Sequence, residues 1–577
     1  MRRSKGRSEK ERLDQHVLFK KGNGFARAWA WRAGTESGKT LFIGSAASLT
    51  MTLLAGCAMG PDFIEPAPPP VTGYTKEPLK PSSASDGSGQ GQGQRFAERF
   101  DIEGQWWEIF HSRPLNDLIA DALKHNPDIQ SAQAGLRVAH ETTEAQRGAF
   151  APTVAPGYNT FTQRASTIVS PPSSSAVSPY LTLNTAQVDV GYTPDVFGLI
   201  GREVENTWAA ELAQRYQVEA TYLTLTSNVV NGAIQEASLR GQIVATKKII
   251  KIEKDLLELI RTQKKLGQAA EADVALQEAA VAQAEQTLPP LDKALLQQRD
   301  LLTALAGRYP SDEVAEKFTL EALRLPRELP VSLPSKLVEQ RPDVAMASAN
   351  LHQASASIGV AIANRMPLIN LTANLSTAYD NLGTLFAPYA NGYLLTAAVT
   401  VPVFDGFTLY HKQREAEAAY DQAEAQYRST AITAFQNVAD TLRAIQTDAQ
   451  EMSAAVKAED AAFKSLTIVR KQLEFGQVST LAVLTAEQTY LSAVLTRIQA
   501  LASRYSDTAA LFQALGGGWW NRKDIPPAEE FDPADVLRFT EPPPPVTEPT
   551  PLAAPEPTPV ATTEPPPPTN QTVGHPL

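Results

Sequence analysis

Apolar side chains in the second half of this 577-residue chain recur at steps of three and four. Phe435, Val438, Leu442, Ile445, Ala449, Met452, Val456, Phe463, Leu466 and Leu473 lie on one stripe. A period near 3.5 predicts a helix whose seam coils left-handedly around a neighbour. Residues 403–524 contain no proline, so a single helix over 407–474 would run for ~100 Å at 1.5 Å per residue. That length excludes an ordinary globular core. A weaker stripe, Leu239, Ile243, Ile250, Leu257 and Ile260, predicts a second long helix in the proline-free stretch 198–265.

Between the helices the period changes to two. Ile369, Leu371, Ala373, Leu375, Thr377 and Tyr379 alternate with Asn370, Thr372, Asn374 and Ser376, and Tyr393, Leu395, Ala397, Val399, Val401 and Val403 repeat the habit. Residues 152–164 and 180–192 carry a weaker copy. Alternation over ~10 residues suits a barrel strand with one face to lipid and one to a wet lumen. Four strands cannot close a pore, and an open sheet edge is not tolerated in lipid. The chain is therefore expected to oligomerise, and three copies would supply twelve strands.

Each long helix is expected to end in a glycine tip and return as a shorter helix. The tips are Lys265-Leu266-Gly267-Gln268 and Glu474-Phe475-Gly476-Gln477. Gly267 and Gly476, then Gly307 and Gly516, match at an offset of 209, and Asn126-Pro127-Asp128 matches Arg341-Pro342-Asp343 at 215. One unit is used twice. The copies differ, because Leu288-Pro289-Pro290-Leu291 must break or kink the first return helix only.

Charge and cysteine usage then narrow the class. Lys+Arg is 52 against 63 Asp+Glu, a net of −11, which argues against a nucleic-acid partner held by phosphate neutralisation. Residues 1–56 run the other way, with 11 Lys/Arg against 4 Asp/Glu. Leu41 to Ala55 is uncharged and apolar or small, too short for a span of about 20 residues but right for a signal core. Leu54-Ala55-Gly56-Cys57 resembles a bacterial lipobox, which implies cleavage between Gly56 and Cys57 and acylation of the one cysteine in the chain. Three acyl chains would hold it durably in a bilayer, and Ala58 fits sorting to the outer membrane. Ala33 to Thr40 fits a relaxed phosphate-loop pattern, but it lacks a preceding strand and would be cleaved away.

Pro-, Ser-, Gly- and Gln-rich residues 61–95 read as a flexible tether, and the last 37 residues hold 14 of the 42 prolines, the composition of an extended tail. The seven histidines show no metal spacing and are expected on solvated helix faces. No Ser/His/Asp set and no carboxylate pair stands out.

Several short motifs can be read together. They are Cys57-Ala-Met-Gly60-Pro61-Asp62-Phe63, Trp106-Trp107-Glu108-Ile109-Phe110 followed by Leu115-Asn116-Asp117-Leu118, and Asp195-Val196-Phe197-Gly198. Val401-Pro402-Val403-Phe404-Asp405-Gly406 and Ala514-Leu515-Gly516-Gly517-Gly518-Trp519 complete the set. Together they resemble the outer membrane efflux lipoproteins, the TolC/OprM-like outer membrane factor family in its NodT-type branch, over about 57–522.

The resemblance implies a mainly α fold with a small β-barrel portion. A duplicated helical-hairpin/strand unit would form a trimeric α-barrel plus a 12-stranded transmembrane β-barrel. It divides the chain into a signal peptide (1–56), a lipidated N-terminus and linker (57–95), a first efflux repeat (96–307), a connection (308–333), a second repeat (334–522) and a Pro-rich tail (523–577). It implies a homotrimer in outer membrane lipids, serving as exit duct for an inner-membrane transporter of RND type through a periplasmic adaptor. Such a duct catalyses nothing and needs no cofactor. An outer membrane duct for type I protein secretion, or a non-pore periplasmic coiled-coil lipoprotein, are the alternatives.

The resemblance also points to sites. Adaptor docking is expected at Leu266, Gly267, Gln268, Phe475, Gly476, Gln477 and Ser479. Family gates carry aspartates on the second return helix, where this chain has Ala482 and Thr485, so weak divalent-cation sensitivity is expected. Asp273 and Glu487 remain to supply charge at the gate. Lys264, Lys265, Glu271 and Glu474 are candidates for a lock between the coils.

Overall fold

The computed structural model describes residues 59–71, 73–77, 93–98, 101–164, 180–331, 334–380, 383 and 391–522. Gly56 and Cys57, the phosphate-loop-like segment and the proline-rich tail lie outside the described residues.

The chain runs β1 (Arg95–Glu98), α1 (Arg113–His125), α2 (Pro127–Arg147), β2 (Thr153–Arg164), β3 (Tyr180–Tyr192), α3 (Leu199–Lys265), α4 (Glu271–Gln286) and α5 (Leu288–Leu305). The second half repeats it as β4 (Glu328–Val331), α6 (Pro334–Gln340), α7 (Pro342–Ala363), β5 (Leu368–Tyr379), β6 (Asn391–Thr400), α8 (Thr408–Glu474) and α9 (Thr480–Ala514). Helices α3 and α8 each have 67 residues, which makes each ~100 Å long. Both ends of α8 lie 209 residues beyond those of α3. No helix among the described residues is long and apolar enough to cross a membrane.

Local chemistry sets the helix starts. Asp195 Oδ2 accepts from the Gly201 amide at 2.8 Å and Asp405 Oδ2 from the Leu409 amide at 2.7 Å, so each motif aspartate satisfies a donor that the first helical turn leaves free. The repeat is equally visible where the return helices end. Asn126 Nδ2 donates to the Leu305 carbonyl at 3.0 Å, and Arg341 Nη1 donates to the Ala514 carbonyl at 2.9 Å. The Pro289-Pro290 pair has the expected effect: α4 stops at Gln286 and α5 restarts at Leu288, whereas α9 runs unbroken for 35 residues.

The expected seams are the packed faces. Val438, Leu442, Ile445, Ala449 and Met452 on α8 are buried, as are Leu239, Ile243, Ile250, Leu257 and Ile260 on α3. Each such Val, Leu or Ile contributes roughly 1.5–3 kcal/mol by leaving water. Phe463 departs from the stripe; it is exposed and leans on Tyr490 with ring centroids 5.5 Å apart. The largest core lies where the two repeats meet. There Trp106 stacks on Phe512 at 5.8 Å and the buried Tyr505 hydroxyl donates to the Leu323 carbonyl at 2.8 Å.

The four longer strands form one antiparallel sheet in the order β2-β3-β5-β6, and β1 pairs in parallel with β4. Register aligns Val190 with Ala373 and Ala373 with Leu395, and likewise Val188 with Leu375 and Leu375 with Tyr393. One face is thereby continuously apolar. The opposite face carries a hydrogen-bonded polar set in which Gln187 Nε2 and Asn374 Nδ2 both donate to Asp189, at 2.7 and 2.6 Å. Leu395 is 71 % exposed and Val399 64 %, so nothing among the described residues covers the apolar face there.

Candidate functional site

The two tips are built alike. After α3, the Gln268 amide donates to the Gln263 carbonyl at 2.8 Å and the Gly267 amide to Lys264 at 2.9 Å; after α8, Gln477 donates to Gln472 and Gly476 to Leu473, both at 2.9 Å. This is the Schellman pattern, which needs a left-handed residue. Gly267 and Gly476 supply it with φ of +74° and +67°. Leu266 and Phe475 stand 69 % and 75 % exposed beside them, and Gln268, Gln477 and Ser479 lie at the surface around them. Two apolar knobs and bare backbone thus face outward at one end of each hairpin.

The gate candidates divide. Asp273 accepts from the Ala270 amide at 3.0 Å and so caps α4. Ala482 stands 209 residues later, where the second tip lacks that cap. Thr485 is exposed and its hydroxyl donates to the Leu481 carbonyl of its own helix at 2.9 Å. Glu487 is not a surface charge: it is 1 % exposed and receives Nη2 and Nε of Arg470 at 2.5 and 3.2 Å. The lock candidates change too. Lys264 pairs with Glu271 inside one hairpin, so this pair closes a tip and does not bridge the coils. Among the described residues, Lys265 and Glu474 make no ion pair.

The linear sequence conceals two carboxylate pairs where none stood out, one that bridges the coils and one inside the second hairpin. Glu253 of α3 lies beside Glu487 of α9, and Gln277 Nε2 of α4 donates to Glu253 Oε2 at 2.5 Å and to its carbonyl at 3.2 Å. Burial, then the hydrogen bond and charge of Glu487, push the Glu253 carboxyl up to about 8, against the opposing pull of Gln277 and Arg470. Further up, burial and Asp507 of α9 push Asp448 of α8 up to about 8, with Glu451 adding to the rise and Arg504 opposing it. The residues of each pair lie far apart in the chain, so only periodicity-based docking of the helices could have signalled them.

At the other end of the long helices lies a strap. Arg202 Nη2 donates to Asp62 at 2.8 Å, Nη1 to Glu205 at 2.6 Å, and Nε to the Met59 carbonyl at 3.1 Å. Phe63 stacks on His352 at 4.2 Å, and the Met59 amide donates to Phe197 at 3.3 Å. Gly60 passes so close to α7 that a Cβ there would sit 2.5 Å from Gly359 Cα. Residues 59–63 therefore dock on Phe197, Arg202, His352 and Gly359. Residues 59–63 are docked, which shortens the expected tether. Two histidines also differ from expectation: His352 pairs with Glu205 at 2.8 Å and His140 with Glu211 at 2.9 Å, both with little exposure.

This fold is shared with solved outer membrane channels. The channel OprN superposes with a TM-score of 0.71 at 21 % identity, covering 80 % of this chain and 100 % of that one. The open state of the Neisseria gonorrhoeae MtrE outer membrane channel gives 0.69 at 23 %, covering 80 % and 99 %. Among curated relatives, the toluene efflux pump outer membrane protein TtgC of Pseudomonas putida is 26 % identical over 477 residues, 82 % of this chain and 95 % of TtgC. The chain belongs to the outer membrane efflux protein family, matched over residues 118–308 and 333–517.

Proposed function

We propose that three copies of this chain form the outer membrane exit duct of a tripartite efflux pump, conducting small molecules passively from the periplasm to the exterior. The observation that carries this reading is the sheet: its apolar face is exposed and its edge strands β2 and β6 pair with nothing among the described residues. In lipid that state is untenable until the sheet closes, and three copies close it as twelve strands. The long helices then continue the duct into the periplasm, and the tips at Leu266–Gln268 and Phe475–Ser479 meet the adaptor that joins it to an RND-type transporter. The relative named for toluene efflux favours small solutes over secreted protein.

Cys57 is the lipid anchor in this reading. The strap fastens Met59 to the start of α3, seven residues beyond the end of β3, and two residues of chain reach at most ~7 Å further. Residues 1–56, 57–95, 96–307, 308–333, 334–522 and 523–577 serve as signal peptide, anchor and linker, first repeat, connection, second repeat and tail. Purified protein reconstituted in planar bilayers is expected to be trimeric and to form discrete conducting units. A monomer that adds no conductance would overturn the proposal.

A further inference from the structure

At the tip end, the two hairpins meet through a group of four polar side chains, one from each helix. Glu253 lies on α3, Gln277 on α4, Arg470 on α8 and Glu487 on α9. Glu253, Gln277 and Glu487 are 4 %, 0 % and 1 % exposed. Core packing does not demand polarity here. The positions 209 residues beyond Glu253 and Gln277 are Ala462 and Ala486, and both are buried in the second hairpin without any such group.

The group holds two carboxylates and one cation. Arg470 is committed to Glu487 Oε1, while Glu487 Oε2 is buried with no donor. A proton on Glu253 supplies that donor and leaves one net negative charge facing one guanidinium. Without it, two like charges lie buried at hydrogen-bonding range, an arrangement that apolar surroundings do not support. The other charged groups nearby face elsewhere. Lys254 pairs with Glu285 at 2.6 Å, Arg261 with Glu278 at 2.7 Å, and Arg497 with Glu459.

We propose that Glu253 and Glu487 form a proton-held clasp which keeps the two hairpins together at the periplasmic end and so holds the duct closed. The proposal rests on the duct reading above and adds a regulator to it. The raised pKa of Glu253 fixes the sign: the clasp is complete below the ordinary carboxyl value of 4.5 and is lost as pH rises through about 8. An acidified periplasm would keep the duct shut, and alkaline conditions would free α3 from α9.

The test compares full-length wild-type protein with Glu253→Gln, whose amide donates to Glu487 at every pH. In planar bilayers, wild-type open probability is expected to rise between about pH 6 and about pH 9, following a shared-proton population that changes roughly tenfold per unit above the midpoint. Glu253→Gln should stay at the acidic level throughout. The infrared difference between wild type and Glu253→Gln at neutral pH should contain one protonated-carboxyl band present only in wild type, since the band of Asp448 is common to both. Identical pH profiles for the two proteins, or the absence of a carboxyl band from their infrared difference, would overturn the clasp. If neither protein conducts at any pH, the duct reading fails and the gating role with it, while the infrared band still reports whether Glu253 holds the proton.

Discussion

Arg470 grips the buried Glu487 through two nitrogens, at 2.5 and 3.2 Å, and the same pairing recurs 209 residues earlier as Arg261 and Glu278 at 2.7 Å. The repeat has copied the pair and changed its surroundings: the Glu487 side chain is 0 % exposed and that of Glu278 50 %. Arg470→Met should leave a buried carboxylate without its cation and cost about 2–3 kcal/mol. Arg261→Met should leave stability unchanged, since an exposed pair contributes little. Thermal unfolding midpoints of the two variants check this, and equal losses would contradict it.

The exposed face of the sheet makes a sharper demand. Leu395→Arg or Val399→Arg places a charge on the face assigned to lipid, at a cost of about 2–4 kcal/mol near the bilayer midplane. Membrane fractions should lose the assembled protein. Ser376→Arg, on the polar face between Leu375 and Thr377, should assemble normally. Normal assembly of the Leu395 and Val399 variants would favour a coiled-coil lipoprotein that forms no pore.

At the tips, Gly267→Val and Gly476→Val would force β-branched residues into left-handed backbone at +74° and +67°, costing about 1–2 kcal/mol each. No neighbouring atom lies within 4 Å of a Cβ at either position, so the damage should stay local. Assembly should be retained while dye efflux falls in cells carrying the cognate adaptor and transporter. Full efflux would remove the tips from the docking surface.

The strap should respond to acid. Burial pushes the Glu205 carboxyl up, but hydrogen bonds from His352 and Arg202 outweigh it and hold it below its ordinary value of 4.5. A lowered pKa means that this contribution is present above 4.5 and lost as pH falls below it. Protease cleavage at residues 64–77 should therefore increase in acid. Arg202→Met should produce the same sensitivity at neutral pH, and Asp62→Asn much less, because the Asp62 side chain is 92 % exposed.

Asp448 behaves oppositely. With its carboxyl pushed up to about 8 by burial and Asp507, its contribution is complete below the ordinary value and disappears as pH rises through about 8. Asp448→Asn should match wild type in mild acid and exceed its unfolding midpoint in alkali. An unchanged difference between the two across that range would show that no proton is held there.

The elements are legible because each one is written in local periodicity. The 3.5-residue stripe containing Val438, Leu442 and Ile445 marks a coiled helix, the period of two in Ile369–Tyr379 marks a strand, and Pro289-Pro290 marks the break at Thr287. The tip glycines can be read for the same reason, since a left-handed helix end is a short-range requirement. Glu487 reads as free charge in the linear chain because its burial depends on Arg470 and Glu253, which sit 17 and 234 residues away. The two histidines held by glutamates are hidden for the same reason.

The duplicated unit, the lengths of its helices and the alternation of its strands are already written in the sequence. All of these follow from spacing within a segment. Only the tertiary structure decided that Gly60-Pro61-Asp62-Phe63 is a strap on Arg202, and that four helices contribute one polar side chain each beside the tips. Those contacts depend on the register between long helices, and a slip of one turn, about 5.4 Å, would carry Glu253 past Glu487 without altering a single local pattern.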